Sequence, residues 1–218
     1  MVSSETTPAA VRARILETAR RRFFREGYAR VTMDELARAL GMSKKTLYQH
    51  FPTKAALAAA VMETFRSQVA EGLGRIFSDH TLSLPERLAR AFAEAARHLR
   101  QIEKPFLEDL ARFLPDVWAE TERFRSETIA RLLGNALREG QAAGFIRTDV
   151  PVEIMLRSFQ AVAERLVTPS ALMELPYTLP EMIRLVIRLL FEGVLTDAAR
   201  ADFRKALDAI ASGENLTT

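Results

Sequence analysis

Apolar residues recur every three to four positions along nearly all of the 218-residue chain, with no sustained apolar–polar alternation of the kind that marks a half-buried strand. No Asn-Gly hairpin signal interrupts that pattern. The periodicity predicts an all-α protein. Val11, Ile15, Leu16, Ala19 and Phe23 share one face of a first helix, opened by Pro8 where a missing amide is harmless and stopped by Gly27. A second helix starts at "TMDE", where Thr32 and Glu35 have capping-box spacing, and buries Leu36, Ala37 and Leu40. Gly41 offers a sharp turn with positive φ, and Ser43 caps a very short third helix ending at His50. Beyond Thr53, Leu57, Val61, Phe65, Val69, Leu73 and Ile76 trace the stripe of a much longer helix. Further helices are predicted over 85–101, 105–113, 116–142, 151–167, 179–194 and 196–211, several with proline at or near the start. The first seven residues and the tail after Ala211 are small and polar, and are expected to fray.

Charge adds an asymmetry to this picture. The formal net charge is +3, but residues 1–60 hold 11 Lys and Arg against 5 Asp and Glu, while the remaining 158 hold 20 against 23. A small basic unit on a slightly acidic body is the footprint of a chain that meets a polyanion at one end. Solvated arginines on a helix would give the same count, so charge alone does not decide. With no cysteine, disulfides, thiolate nucleophiles and cysteine zinc sites are all excluded, which suits a reducing cytoplasm. Histidines at 50, 80 and 98 are too scattered for a metal site, and no metal or cofactor is expected. "MVSSETTPAAVRARIL" turns basic where a signal peptide would turn apolar. The longest apolar run, residues 55–62, falls far short of the roughly 20 residues that a bilayer span needs. A soluble, cytoplasmic protein without a membrane partner is expected.

The densest chemistry lies in "GMSKKTLYQHFPTK", residues 41–54. A helix of this kind is only about 12 Å long at 1.5 Å per residue, too short to stand alone, so neighbours must hold it. Met42, Leu47 and Phe51 are its apolar anchors, leaving Lys44, Lys45, Thr46, Tyr48, Gln49 and His50 available to face outward. A DNA major groove about 12 Å wide admits such a helix, and this mixture supplies phosphate ligands and base-edge donors from one surface. Taken singly, Lys44 and Lys45 are ordinary surface lysines, and packing roles are open to Tyr48 and His50. Together, on a capped helix-turn-helix with a basic balance, they point to DNA.

The run "TMDELARALGMSKKTLYQHFPTKAAL" resembles the helix-turn-helix of the TetR family of bacterial transcriptional regulators. The shared elements are the capped "T-x-x-E-L-A", the "G-M-S" turn, the "T-L-Y-x-H-F" recognition helix, and the "K" and "L" that open the next helix. The resemblance covers residues 11–61, and beyond them only length and helical architecture match. It implies a three-helix DNA-binding domain over 8–53, joined through the long helix to a helical effector-binding and dimerisation domain over 54–211. Physical reasoning and the family pattern agree on candidate roles: Lys44, Lys45 and Tyr48 read or contact the groove, and Thr32, Thr46, Tyr48, His50 and Lys54 grip phosphates.

One copy would make a small contact, so a homodimer on a palindromic double-stranded operator is expected, its recognition helices about 34 Å apart. The helices over 151–167 and 179–194 are the interface candidates. In the second, only Arg184 and Arg188 interrupt a nearly all-round apolar surface, although burial inside the monomer would explain the same pattern. As bare sequence, Phe92, Phe113, Trp118, Met155 and Phe159, with His98, read as plain core before they read as a ligand cage, and it is the resemblance that makes them candidates to line a small-molecule site. The resemblance implies release from DNA by an effector and a repressor, with an activator left open, and the composition of these candidates points to an apolar or aromatic effector. Two other classes compete. An enzyme would need a nucleophile with its base, a metal cluster or a phosphate loop, and no such motif is present. A sequence-nonspecific architectural binder would use the same basic helices but would not need the large acidic body.

Overall fold

The computed structural model describes residues 7–166 and 168–211, and among them the fold is all-α. The helices are α1 (Pro8–Glu26), α2 (Met33–Leu40), α3 (Lys44–His50), α4 (Lys54–Ser78), α5 (Leu84–Leu99), α6 (Lys104–Phe113), α7 (Pro115–Thr128), α8 (Gly134–Ala142), α9 (Val152–Leu166), α10 (Pro169–Glu174), α11 (Leu179–Val194) and α12 (Asp197–Ala211). Between α7 and α8, Ile129–Leu133 is wound as a π-helix, so the helix expected over 116–142 is one rod with a widened segment. The expected end of a helix at Val167 and the fraying expected for residues 1–6 and after Ala211 lie outside the described residues. Thr7, expected to fray, instead caps α1, its Oγ1 accepting from the Ala10 amide at 3.2 Å. The short α10 was not anticipated, although its opener is in plain sight, a Thr168 cap followed by proline.

The chain forms two compact units, one of residues 1–67 with 101–121, the other of 68–100 with 122–218. The first therefore takes in half of α4, all of α6 and the start of α7, where the expected boundary fell at 53/54. The reason is that α1 has two apolar faces. Ile15, Ala19 and Phe23 are fully buried and α1 packs on α2, while the adjacent Phe24 is buried with its ring 4.9 Å from Phe106 and 5.4 Å from Phe65. Phe106 comes from α6 and Phe65 from α4, and the Glu103 amide donates to the Phe24 carbonyl at 2.9 Å, fixing the start of α6 on α1. Burying three phenylalanines at one point contributes several kcal/mol, at about 25 cal/mol per Å² of apolar surface.

The core of the second unit gathers Leu84, Leu88, Leu133, Leu137, Ile146, Met155, Phe159, Phe191 and Phe203. Phe191 lies 5.0 Å from both Phe92 and Phe159, ring centre to ring centre. Gly140 of α8 packs directly on Ile146 and Leu84, a space that any side chain would fill. An antiparallel bridge, Ile146 to Leu195, closes the unit, with the Arg147 amide donating to the Val194 carbonyl at 2.9 Å. Arg87, 4% exposed, donates to Glu139 of α8 and to the Phe77 carbonyl, tying α5 to α8 and to the end of α4.

Candidate nucleic-acid interface

The α2–turn–α3 geometry follows from short-range chemistry. Thr32 and Glu35 form the expected capping box: Thr32 Oγ1 accepts from the Glu35 amide at 3.2 Å, and the Thr32 amide donates to Glu35 Oε2 at 2.9 Å. Gly41 adopts φ 64°, ψ 30°, and the Met42 amide donates back to the Ala37 carbonyl at 3.0 Å, closing α2 and turning the chain. Ser43 Oγ then accepts from the Thr46 amide at 3.0 Å and starts α3. Leu47, fully buried, and Phe51, 3% exposed, pin α3 to the unit. From α1, Arg14 donates to the Leu40 carbonyl at 2.8 Å and Arg12 lies 4.6 Å from the centre of the Phe51 ring. Two arginines of the basic back are therefore fastened to the motif rather than merely solvated.

Lys44, Lys45, Tyr48 and Gln49 are exposed, Tyr48 to 39%, and they occupy one outer surface of a helix held rigid from behind. His50 and Thr46 are half-buried. Lys44 pairs with Asp34 of α2 at 2.7 Å, and this hydrogen bond holds its ammonium pKa above the ordinary lysine value. Sequence reasoning missed Asp34, because only the angle between α2 and α3 brings it to Lys44. Lys45 makes no ion pair among the described residues.

Two expected phosphate ligands are engaged inside the protein. Thr32 commits its amide, and its hydroxyl at 2.9 Å, to Glu35. Lys54 is half-buried: its Nζ donates to the carbonyls of Tyr28, Ala29 and Val31 at 2.9, 3.4 and 3.0 Å and sits 4.2 Å from the Tyr28 ring centre. An ammonium has three N–H donors, and three carbonyls take them. Burial pushes the Lys54 pKa down, with the Asp109 charge opposing that shift.

Of the six residues considered for an effector site, Phe92, Met155 and Phe159 share the core of the second unit. Phe113, 47% exposed, and the half-buried Trp118 belong to the first unit, where the Phe113 ring lies 6.5 Å from that of Tyr28. Proline at 115 breaks the path between α6 and α7 and leaves Phe113 at a helix end, facing outward. His98 is 6% exposed and is held by Glu94 at 3.1 Å. Phe92 packs on Phe191 and Phe203 in the second core. Met155 and Phe159 are buried and line a hollow of about 240 Å³ with Ile154, Ser158, Leu189 and Leu190. On the same two helices Ile154, Leu185 and Leu189 are 54%, 46% and 71% exposed.

Similarity to known proteins agrees with this geometry. Residues 15–61 match the model of the family described as bacterial regulatory proteins, tetR family. The HTH-type transcriptional repressor Rv1474c of Mycobacterium tuberculosis is 32% identical over 190 residues, covering 84% of this chain and 94% of the relative. An uncharacterised HTH-type transcriptional regulator of Bacillus subtilis, YvaF, is 25% identical over 186 residues, covering 84% of this chain and 95% of the relative. The crystal structure of the transcriptional regulator FadR from Bacillus subtilis in complex with stearoyl-CoA superposes with a TM-score of 0.59 at 17% identity, over 83% of this chain and 98% of that one, and so shares the fold. No described helix is long and apolar enough to cross a membrane. With a capped helix-turn-helix presenting lysines and a tyrosine on an all-α frame, and a relative of this identity along nearly its whole length, the chain belongs to the tetR family of bacterial regulatory proteins and is a DNA-binding transcriptional regulator.

Proposed function

We propose that the protein is a sequence-specific repressor that binds a palindromic operator as a homodimer and leaves it when a small apolar or aromatic molecule binds the second unit. The observation that carries the reading is α3, whose inner face is locked by Leu47 and Phe51 while Lys45 and Tyr48 stand exposed. Lysine offers donors to guanine O6 and N7, and tyrosine adds a hydroxyl and an apolar ring. Lys44, shared with Asp34, is available to a base or a phosphate only in competition with that carboxylate. Thr46 and His50 serve the backbone of the DNA, and Thr32 and Lys54 serve it through the conformation they fix.

The homodimer is supported by α9 and α11. Leu189, Leu185 and Ile154 are more exposed than isolated surface leucines need to be, and the hollow lined by Met155 and Phe159 lies beside them, able to take side chains of a second copy. Its 240 Å³ is below the roughly 300 Å³ at which small-molecule sites begin, which favours a protein partner there. The aromatic cluster around Phe92, Phe159 and Phe191 supplies apolar chemistry for an effector that wedges α5 from α11. Repression as the sign of control is supported by the name of the mycobacterial relative.

A footprint on the DNA flanking the gene, at near-physiological salt and with Lys45→Ala beside the wild type, tests the reading. A discrete protected patch with inverted-repeat symmetry, lost in the variant, is expected. Uniform protection along the fragment, identical in the two proteins, would replace a sequence-specific regulator with an architectural binder.

A further inference from the structure

We propose that Asp109 of α6 is a positioning residue for DNA binding: it holds the loop at 27–31 against Lys54 and so sets where α2 begins. The proposal rests on the DNA-binding reading above. Two oppositely charged side chains from different helices act on the same few peptides. Asp109 Oδ2 accepts from the Ala29 amide at 2.7 Å. On the other side of that peptide run, Lys54 Nζ takes the Tyr28, Ala29 and Val31 carbonyls. Ala29 is therefore gripped by its N–H from α6 and by its C=O from α4.

The loop is shaped to receive the carboxylate. Gly27 has φ 92°, in the region that side-chain-bearing residues avoid, and a Cβ there would stand 2.7 Å from Asp109 Oδ2 and 3.4 Å from Pro105 Cβ. The missing side chain is what admits Asp109. Val31, fully buried, fastens the far end, and the next residue is Thr32, the cap of α2. The α6 end is equally fixed, by buried Phe106 and by the Glu103 amide on the Phe24 carbonyl. A shift of α6 relative to α4 must break one grip or drag the loop, and either moves the cap of α2 and, through the Gly41 turn, α3. Because such coupling is reciprocal, DNA that immobilises α2 and α3 must also quieten α6.

Hydrogen exchange of the full-length protein, alone and with a duplex carrying the footprinted site, tests this. Wild type is expected to show duplex-dependent slowing over 104–113, and Asp109→Ala is expected to abolish that slowing. The same variant should bind the duplex about tenfold more weakly, as expected for the loss of one charge-assisted hydrogen bond, with the salt slope unchanged because no phosphate contact is removed. Asp109→Asn, which keeps an oxygen for the Ala29 amide, should recover part of both effects, and it carries the comparison if the alanine variant does not fold. A merely structural Asp109 would not alter a DNA-dependent signal. Duplex binding by the wild type without slowing in α6, or Asp109 variants that bind as tightly as wild type or tighter, would overturn the proposal and leave the regulator intact. Wild type that binds no duplex would instead remove the DNA-binding reading on which it rests.

Discussion

Lys54 Nζ lies 4.2 Å from the centre of the Tyr28 ring and donates to the Tyr28 carbonyl at 2.9 Å. With two more carbonyls on the same ammonium, the side chain braces the loop before α2. Lys54→Ala is therefore expected to weaken binding to operator and random duplex alike while leaving the salt slope as in the wild type. Anisotropy titrations at several salt concentrations check this. A slope reduced by about 0.9, the value for one lost phosphate contact on B-DNA, would mean that Lys54 reaches the DNA directly.

Lys45 and Tyr48 are expected to behave differently, since both are exposed on α3. Lys45→Ala and Tyr48→Ala should each lower the ratio of operator to random-duplex affinity, by about 1–3 kcal/mol for a lost base contact. Competition titrations at fixed salt read that ratio. Equal losses on both kinds of DNA would reassign the two residues to the phosphate backbone.

In the second unit the Arg87–Glu139 pair predicts a pH dependence of stability. Arg87 is almost wholly buried, and its hydrogen bonds hold the Glu139 carboxyl below the usual carboxylate range. A carboxylate whose folded pKa lies below its unfolded value stabilises the fold above the ordinary range, near 4.3, and that contribution is lost as pH falls through the folded value. Glu139→Gln should cost about 1.5 kcal/mol at neutral pH, the lower end for a charged hydrogen bond because Glu139 is 44% exposed. Urea unfolding of both proteins from pH 7 to pH 3 should show the gap closing in acid. A gap independent of pH would remove the ionic contribution.

Leu189, at 71% exposure, is the most open of the large apolar residues on α9 and α11. Leu189→Glu should leave the helical content of the protein unchanged and convert a dimer to a monomer, because a carboxylate at the centre of an apolar interface is buried unpaired. Sedimentation equilibrium measures the mass directly. A dimer that persists unchanged would place the interface elsewhere.

Local chemistry was legible in advance. The Thr32–Glu35 box, the left-handed Gly41 and the Ser43 cap each depend on partners within a few residues, so their spacing in the chain is already their geometry. The anchors Leu47 and Phe51 were legible for the same reason, their spacing of four on a 3.6-residue helix. Phe24 was not, because the stripe that named Phe23 assumes one buried face, and α6 supplies a second. The exposure of Phe113 was not legible either: an aromatic residue's size says that it favours burial, not which surface it reaches.

The sequence by itself determined an all-helical chain, the place of its turns and the exposed side of α3, because these follow from periodicity, caps and glycine conformation over single turns. Tertiary structure alone decided that Lys54 spends its donors on carbonyls 23 to 26 residues away. It likewise decided that Asp109 meets an amide 80 residues distant and that Arg87 finds Glu139 across 52. The physical reason is common to all three. A charge can be satisfied by any partner of the right polarity within about 3 Å, and which partner arrives depends on how the helices pack around buried side chains such as Phe24 and Phe106.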